Sequence, residues 1–247
     1  MSKVKELLEA KADINQQGGY NTPLTAACNG GHISVVKELI EAGADINPKG
    51  AGWTYELLEA GANFNQQCEY STPLIAACGG GYMNVVKELL EAGADINQQG
   101  EIHTPLTAAC EGGHTSVVKE LIEAGADINQ QGGDNTPLTA ASCSGGHMSV
   151  VKELLEAGAD INPQFDHESP LVAACSHGHL SVVKELIEAG ALINQQGDIN
   201  KPLSSACSGA YLSVVKELIE AGADISEICA CDGEGLRIVD LLNLYRS

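Results

Sequence analysis

The chain predicts an all-α repeat solenoid in which helix-turn-helix units stack side by side and are joined by hairpin loops. Three observations predict it. First, a block that in most copies begins Thr-Pro-Leu recurs, and its prolines, Pro23, Pro73, Pro105, Pro137, Pro170 and Pro202, are separated by 50, 32, 32, 33 and 32 residues. A period in this range marks units that cannot bury an apolar face alone and must lean on their neighbours. Second, each copy holds two short runs with apolar residues at helical spacing, divided by glycines. Third, aromatic residues are only 4% of the 247, and the 44% apolar content is mostly Ala, Val, Leu and Ile, which suits thin, close-packed layers of helices. Function is therefore expected on a surface rather than in a cleft.

Residues 16–47 show how one copy is built. Thr22 reads as an N-cap hydroxyl and Pro23 as the first helical residue, where its missing N–H costs nothing. Leu24, Ala26, Ala27 and Cys28 give this short helix a small apolar face, and Gly30-Gly31 end it through a left-handed turn. Ser34 is expected to precede a second helix. In that helix Val35, Val36, Leu39 and Ile40 fall at i, i+1, i+4 and i+5, a stripe wide enough to touch both neighbouring copies. Gly43 stops it, and Ala44-Asp45-Ile46-Asn47 leads into turn residues that read as a hairpin-like loop.

The chain as a whole, 1–247, reads as one domain. It comprises a half repeat at 1–15, full repeats at 16–47, 66–97, 98–129, 130–162, 163–194 and 195–226, a truncated half repeat at 48–65 and a C-terminal cap at 227–247. The truncated copy keeps Glu56-Leu57-Leu58-Glu59-Ala60-Gly61 but lacks the Thr-Pro-Leu helix. A groove is expected to open there between the flanking copies, filled by Trp53 and Tyr55. The N-terminal helix has no first helix before it and leaves Val4, Leu7 and Leu8 unshielded. A solenoid end of this kind normally carries a polar cap, so either the chain is a fragment, another molecule covers the face, or the exposure is tolerated.

Helix, tight turn, helix and hairpin are marked in one copy by Thr104-Pro105-Leu106, Gly113-His114, Val117-Val118 and Gly125-Ala126-Asp127-Ile128-Asn129. With the same words in the other copies, the chain resembles the ankyrin repeat family over nearly its full length. The resemblance implies L-shaped units of antiparallel helices with a β-hairpin at about a right angle, stacked into a curved body whose concave face binds other proteins. Two departures stand out. The family usually has His after Thr-Pro-Leu, where this chain has Thr25, Ile75, Thr107, Thr139, Val172 and Ser204; the hydrogen bond that His makes to the hairpin must be replaced or absent. Most copies are also one residue shorter than the usual unit of about 33. The fourth regains that residue through Ser142, read as an insertion in the first helix that predicts a local bulge.

Composition narrows the partners. The net charge is −20, with 13 Lys+Arg against 33 Asp+Glu, and there is no basic stripe of the kind that nucleic acid requires. No run approaches the roughly 20 apolar residues of a membrane span. A protein with a neutral or basic surface is the expected partner, with the chain a monomer unless it self-associates through Val4, Leu7 and Leu8. The cysteines do not cluster as a disulfide framework does: Cys28, Cys78, Cys110, Cys175 and Cys207 share one slot and Cys143 is displaced by one. Equivalent slots in stacked copies lie about 8–10 Å apart, beyond the ~7 Å limit for a disulfide. They read as small buried hydrophobes in a reducing, cytoplasmic setting.

Catalysis, metal and cofactor are not expected. His32, His114, His147 and His179 recur at the Gly-His turn and read as hydrogen-bonding loop residues. His177-Gly178-His179 and Cys229-Ala230-Cys231 are the best metal-ligand types, without the spacing of a zinc site. An enzyme would need one cysteine distinguished from its repeat equivalents.

The framework stays nearly fixed between copies while the hairpin tips change, and that contrast defines the candidate partner-binding residues. The tips carry Tyr20 and Asn21, Tyr70 and Ser71, Ile102 and His103, Asp134 and Asn135, His167 and Glu168, and Ile199 and Asn200. The first helices contribute Asn29, Glu111 and His177 to the same face, beside Gly79, Ser144 and Ser208. Divergence there fits a binding surface, and it also fits an unconstrained loop. Tyr, Ile and His favour the first, because such side chains anchor interfaces. The expected function is a non-enzymatic protein-interaction module, the alternative an architectural spacer or piece of a longer array that docks through its N-terminal helix.

Overall fold

In the computed structural model the described residues are 6–7, 10, 12–16, 21–48, 71–163, 168–194 and 201–225. The chain divides into two compact units, residues 1–133 and 134–247. Among the described residues there are twelve helices, alternately seven and nine residues long. Unit one contains α1 (Pro23–Asn29), α2 (Ile33–Glu41), α3 (Pro73–Gly79), α4 (Met83–Glu91), α5 (Pro105–Glu111) and α6 (Thr115–Glu123). Unit two contains α7 (Pro137–Cys143), α8 (Met148–Glu156), α9 (Pro170–Ser176), α10 (Leu180–Glu188), α11 (Pro202–Ser208) and α12 (Leu212–Glu220).

Each short helix starts as its sequence dictates. Thr22, Thr72, Thr104, Thr136 and Ser169 are N-caps whose hydroxyls accept the backbone N–H three residues on, with proline following at the first helical position. The residue that replaces the family's histidine joins this cap in several copies. Thr22 and Thr25 share a hydroxyl contact of 3.0 Å, as do Thr136 and Thr139, while the Thr104 N–H donates to Thr107 Oγ1 at 2.7 Å. These threonines are nearly inaccessible to solvent, so a hydroxyl that satisfies itself locally replaces a ring that would have to reach out.

The longer helices begin two residues before the expected place. Their N-caps are His32, Tyr82, His114, His147, His179 and Tyr211, none with a side-chain cap bond, and Ser34 is the second residue of α2 rather than its cap. The cause is the preceding turn. Gly31 takes φ +64° and brings the chain round early, and a β-carbon there would stand 2.6 Å from Tyr82 Cδ1 of the adjacent copy. At the other end, the N–H of Gly43 bonds Ile40 O and that of Ala44 bonds Leu39 O, with Gly43 at φ +88°, the Schellman arrangement.

Packing follows one rule in both units. First helices lie against first helices, α1 on α3 on α5 and α7 on α9 on α11. Second helices do likewise, α2 on α4 on α6 and α8 on α10 on α12. Leu74, Leu106, Leu138 and Leu171 are 1% exposed, and Val86, Val118, Val151 and Val183 are fully buried. Burying one such side chain contributes about 1.5–3 kcal/mol, far more than the surface pairs Lys37–Glu88, Lys87–Glu120, Lys152–Glu185 and Lys184–Glu217, at 2.9–3.3 Å. Pairs that exposed are worth about 0–1 kcal/mol each. Apolar contact between copies therefore holds the layers together.

Asparagines at the ends of the copies set the vertical register. Asn15 Oδ1 accepts the Asp45 N–H, Asn47 that of Asp95 and Asn97 that of Asp127, all at 2.8–2.9 Å. In unit two Asn162 accepts the N–H of Leu192 and Asn194 that of Asp224. The rung from Asn47 to Asp95 overturns one expectation. The copies at 16–47 and 66–97 are direct neighbours, with α1 on α3, Lys37 on Glu88 and Tyr82 against Gly31. No groove opens between them, because restoring apolar contact outweighs the small entropy of a longer connection. Residues 49–70, with Trp53 and Tyr55, lie outside the described residues. So do Val4, Leu8 and the expected C-terminal cap, while Leu7 is 54% exposed.

The extra residue of the fourth copy is taken up differently than expected. Helix α7 has seven residues like its counterparts, so the first helix is not bulged. The added length falls in the turn, where the His147 N–H reaches back to Ala141 O, six residues away; the equivalent bond from His114 reaches Ala109 O, five away. Ser142 fills the buried slot that cysteine occupies elsewhere and turns its Oγ to Leu138 O at 2.7 Å.

Candidate functional site

The best-described hairpin tip closes by a bond from the Gly100 N–H to His103 O at 2.8 Å. Glu101 and Ile102 form the tip itself, and Ile102 is 38% exposed despite its apolar side chain. The chain then enters the Thr104 cap of α5. His103, half-buried, places Nε2 2.6 Å from Glu111 Oε2 at the far end of that helix. In unit two Ser176 Oγ donates to Glu168 Oε1 at 2.7 Å. Both pairs join the residue two before the proline to the residue six after it. Hairpin and first helix thus present one face in each unit.

The described candidates take these positions. Asn29 and Glu111 are exposed at the ends of α1 and α5, and Asn21 and Ser71 are partly buried just before their capping threonines. Ser71 Oγ donates to Thr72 O at 3.3 Å. In unit two Asp134 is exposed, Asn135 and Glu168 are partly buried and His177 is exposed. Tyr20, Tyr70, His167, Ile199 and Asn200 lie outside the described residues. Sequence reasoning missed Ser176: it holds the register of Asn29 and Glu111, whereas His177 is the C-cap residue, a place taken by Gly30, Gly80, Gly112 and Gly209 in other copies. Counting six residues from each proline would have found it.

The turn histidines do more than stabilise their own loops. His114 Nε2 donates to Gly79 O and His179 Nε2 to Cys143 O, both at 2.9 Å and both in the preceding copy. They are cross-layer struts, tied to the scaffold.

Thiol chemistry separates one cysteine from the rest. Cys28, Cys78, Cys110, Cys175 and Cys207 are buried. Burial pushes the thiols of Cys28 and Cys175 up to about 12, Glu168 adding to the effect at Cys175, and raises those of Cys78 and Cys110 as well. A thiol held protonated at neutral pH is a poor nucleophile. Cys143 alone among the described cysteines is only partly buried. No group of three or more His, Cys, Asp or Glu side chains among the described residues is placed to hold a metal ion, and no helix among them is long and apolar enough to cross a membrane.

A family model described as "Ankyrin repeats (3 copies)" matches residues 1–99, 54–132, 93–165 and 138–229. Among solved structures, the crystal structure of the human ASB11 ankyrin repeat domain is similar at 27% identity and a TM-score of 0.69, over 92% of this chain and 98% of that one. No curated protein matches the sequence.

Proposed function

Because the chain belongs to the ankyrin repeat family, whose domains generally mediate protein–protein interaction, we propose that it is a non-enzymatic module that binds a partner protein on the face built from hairpin tips and first helices. The observation that carries this reading is the pairing of His103 with Glu111 and of Glu168 with Ser176. Within each unit it ties a position that varies at the hairpin to one that varies at the end of the first helix. Ile102, with Tyr20, Tyr70 and Ile199, supplies apolar anchors. Asp134, His167 and Glu168 supply polar selectivity, and the net charge of −20 suits a neutral or basic partner in a cytoplasmic setting. The partition into repeats given above is part of this reading.

Affinity capture with the chain and with a variant carrying Ile102→Arg and Glu111→Lys tests it. Partners held by the parent chain should be lost from this variant and retained by a Lys152→Ala control on a second helix. Retention of every partner by the first variant would show that the face is not used. Exposure of Leu7 favours a second reading, self-association through Val4, Leu7 and Leu8. It predicts a solution mass of twice 25.6 kDa that Leu7→Glu returns to the monomer.

A further inference from the structure

The added residue of the fourth copy does more than lengthen a turn. With Ser142 fully buried in the slot that cysteine occupies elsewhere, Cys143 is turned outward to partial exposure. Its Sγ lies 3.8 Å from each ring nitrogen of His177, in the next copy. His177 Nδ1 is 3.0 Å from Ala173 O, an acceptor that only an N–H can serve, so Nδ1 carries the proton and Nε2 is the unprotonated nitrogen. Sγ, equidistant from the two, stands beside the ring and off the Nε2 lone-pair axis, which a rotation of the imidazole about its χ2 brings toward the thiol. His179 fixes the arrangement from below. Its Nε2 donates to Cys143 O at 2.9 Å, and its ring stacks on that of His177 with centroids 6.0 Å apart and planes 9° from parallel. A thiol, a base of defined tautomer and a second ring holding that base converge at one turn.

We propose that Cys143 is a thiol-modification site, with His177 as its general base, that exchanges with low-molecular-weight disulfides. His177 Nε2 takes the Sγ proton and the thiolate attacks one sulfur of the disulfide. A mixed disulfide forms on Cys143 as the original S–S bond breaks. The departing sulfur leaves as a thiolate with the bonding electron pair and recovers the proton from the imidazolium. Cys143 is oxidised and the released half is reduced, so no other oxidant is needed. Cys143, six residues after Pro137, stands in the register of Glu111 and Ser176, so the site shares the proposed partner face, but its chemistry does not rest on that reading.

The test uses the full chain with Cys68, Cys229 and Cys231, which lie outside the described residues, replaced by Ser. Treatment with 2,2′-dithiodipyridine, followed by release of the thione and by peptide mapping, should show one equivalent of fast reaction on Cys143. The rate should exceed that of Cys28, Cys78, Cys110, Cys175 and Cys207 by at least about 100-fold, since those react only when the fold opens. A rate for Cys143 equal to that of Cys110 would overturn the site. His177→Asn should slow the fast phase about tenfold, as loss of a general base does. If the ring is merely a cover, the same change uncovers the sulfur and leaves the rate equal or higher, which overturns the role of His177. Deleting Ser142 restores the spacing of the other copies and should abolish the fast phase with the thermal midpoint kept; a fast phase that survives also counts against the proposal.

Discussion

The repeat period is broken in two places, and the two breaks behave in opposite ways. Between Asn47 and Ser71 the chain carries eighteen residues beyond its 32-residue period, yet the flanking copies meet as if nothing intervened: Asn47 still takes the Asp95 N–H at 2.9 Å and Lys37 still meets Glu88. In the copy at 130–162 a single added residue changes which side chain enters the core, Ser142 in place of cysteine, and carries Cys143 toward solvent. Length added between copies leaves the contacts that those copies exchange in place. Length added within a unit must be absorbed by a packed turn whose hydrogen bonds have fixed reach. What matters in a stacked fold is whether an insertion disturbs the contacts that copies exchange.

This contrast can be broken or sharpened experimentally. The largest effect is expected from emptying the core slot shared by regular and irregular copies. Leu106→Ala and Leu138→Ala should each destabilise by about 2–5 kcal/mol, and by similar amounts, because both side chains are 1% exposed. A much smaller cost at Leu138, in denaturant unfolding, would mean that the extra residue has loosened its copy after all.

High pH comes next. Cys28 and Cys175 titrate near 12 when folded, against 9.0 for an ordinary thiol. Their stabilising share is complete below about pH 9 and falls as pH climbs toward 12, because only the unfolded chain ionises in that window. The loss is about 1.4 kcal/mol per pH unit for each such thiol. Ser142 does not titrate in its slot, so Cys28→Ala should flatten the alkaline limb of stability against pH, while Ser142→Ala should leave its slope unchanged.

A smaller gain is expected at Ala210, the one non-glycine residue with positive φ, 55°, among the described residues. Ala210→Gly should stabilise by about 1 kcal/mol, read as a higher thermal midpoint; a loss would mean that the Ala210 methyl makes a compensating contact. The smallest effect belongs to the long insertion. Removing residues 48–65 should alter stability by about 1 kcal/mol or less and leave the Asp95 amide protected from hydrogen exchange. A collapse of that protection would show that the copies at 16–47 and 66–97 need the segment between them.

The local grammar of each copy was readable before any coordinates. Thr22-Pro23 as cap and first turn, Gly31 and Gly43 as left-handed exits, and Val36 with Leu39 as buried contacts all appear where the pattern puts them. Each rests on interactions within a few residues, or on burial that periodicity reports directly. Of the candidate residues, His103 and Glu111 meet, while Ser176, six residues after Pro170 as Glu111 is after Pro105, stands in the register that the sequence reading gave to His177.

The sequence by itself determined the repeat family, the starts of the short helices, the glycine stops, and the small side chains that line the layers, because each is written locally and then copied. Only the tertiary structure decided which copies are neighbours across the long insertion, that His114 and His179 brace the copy before them, and that Cys143 faces His177 across a layer boundary. Those facts depend on contacts between residues some thirty to fifty positions apart. Such contacts are fixed by whichever stacking buries the most apolar surface, and no single copy contains that information.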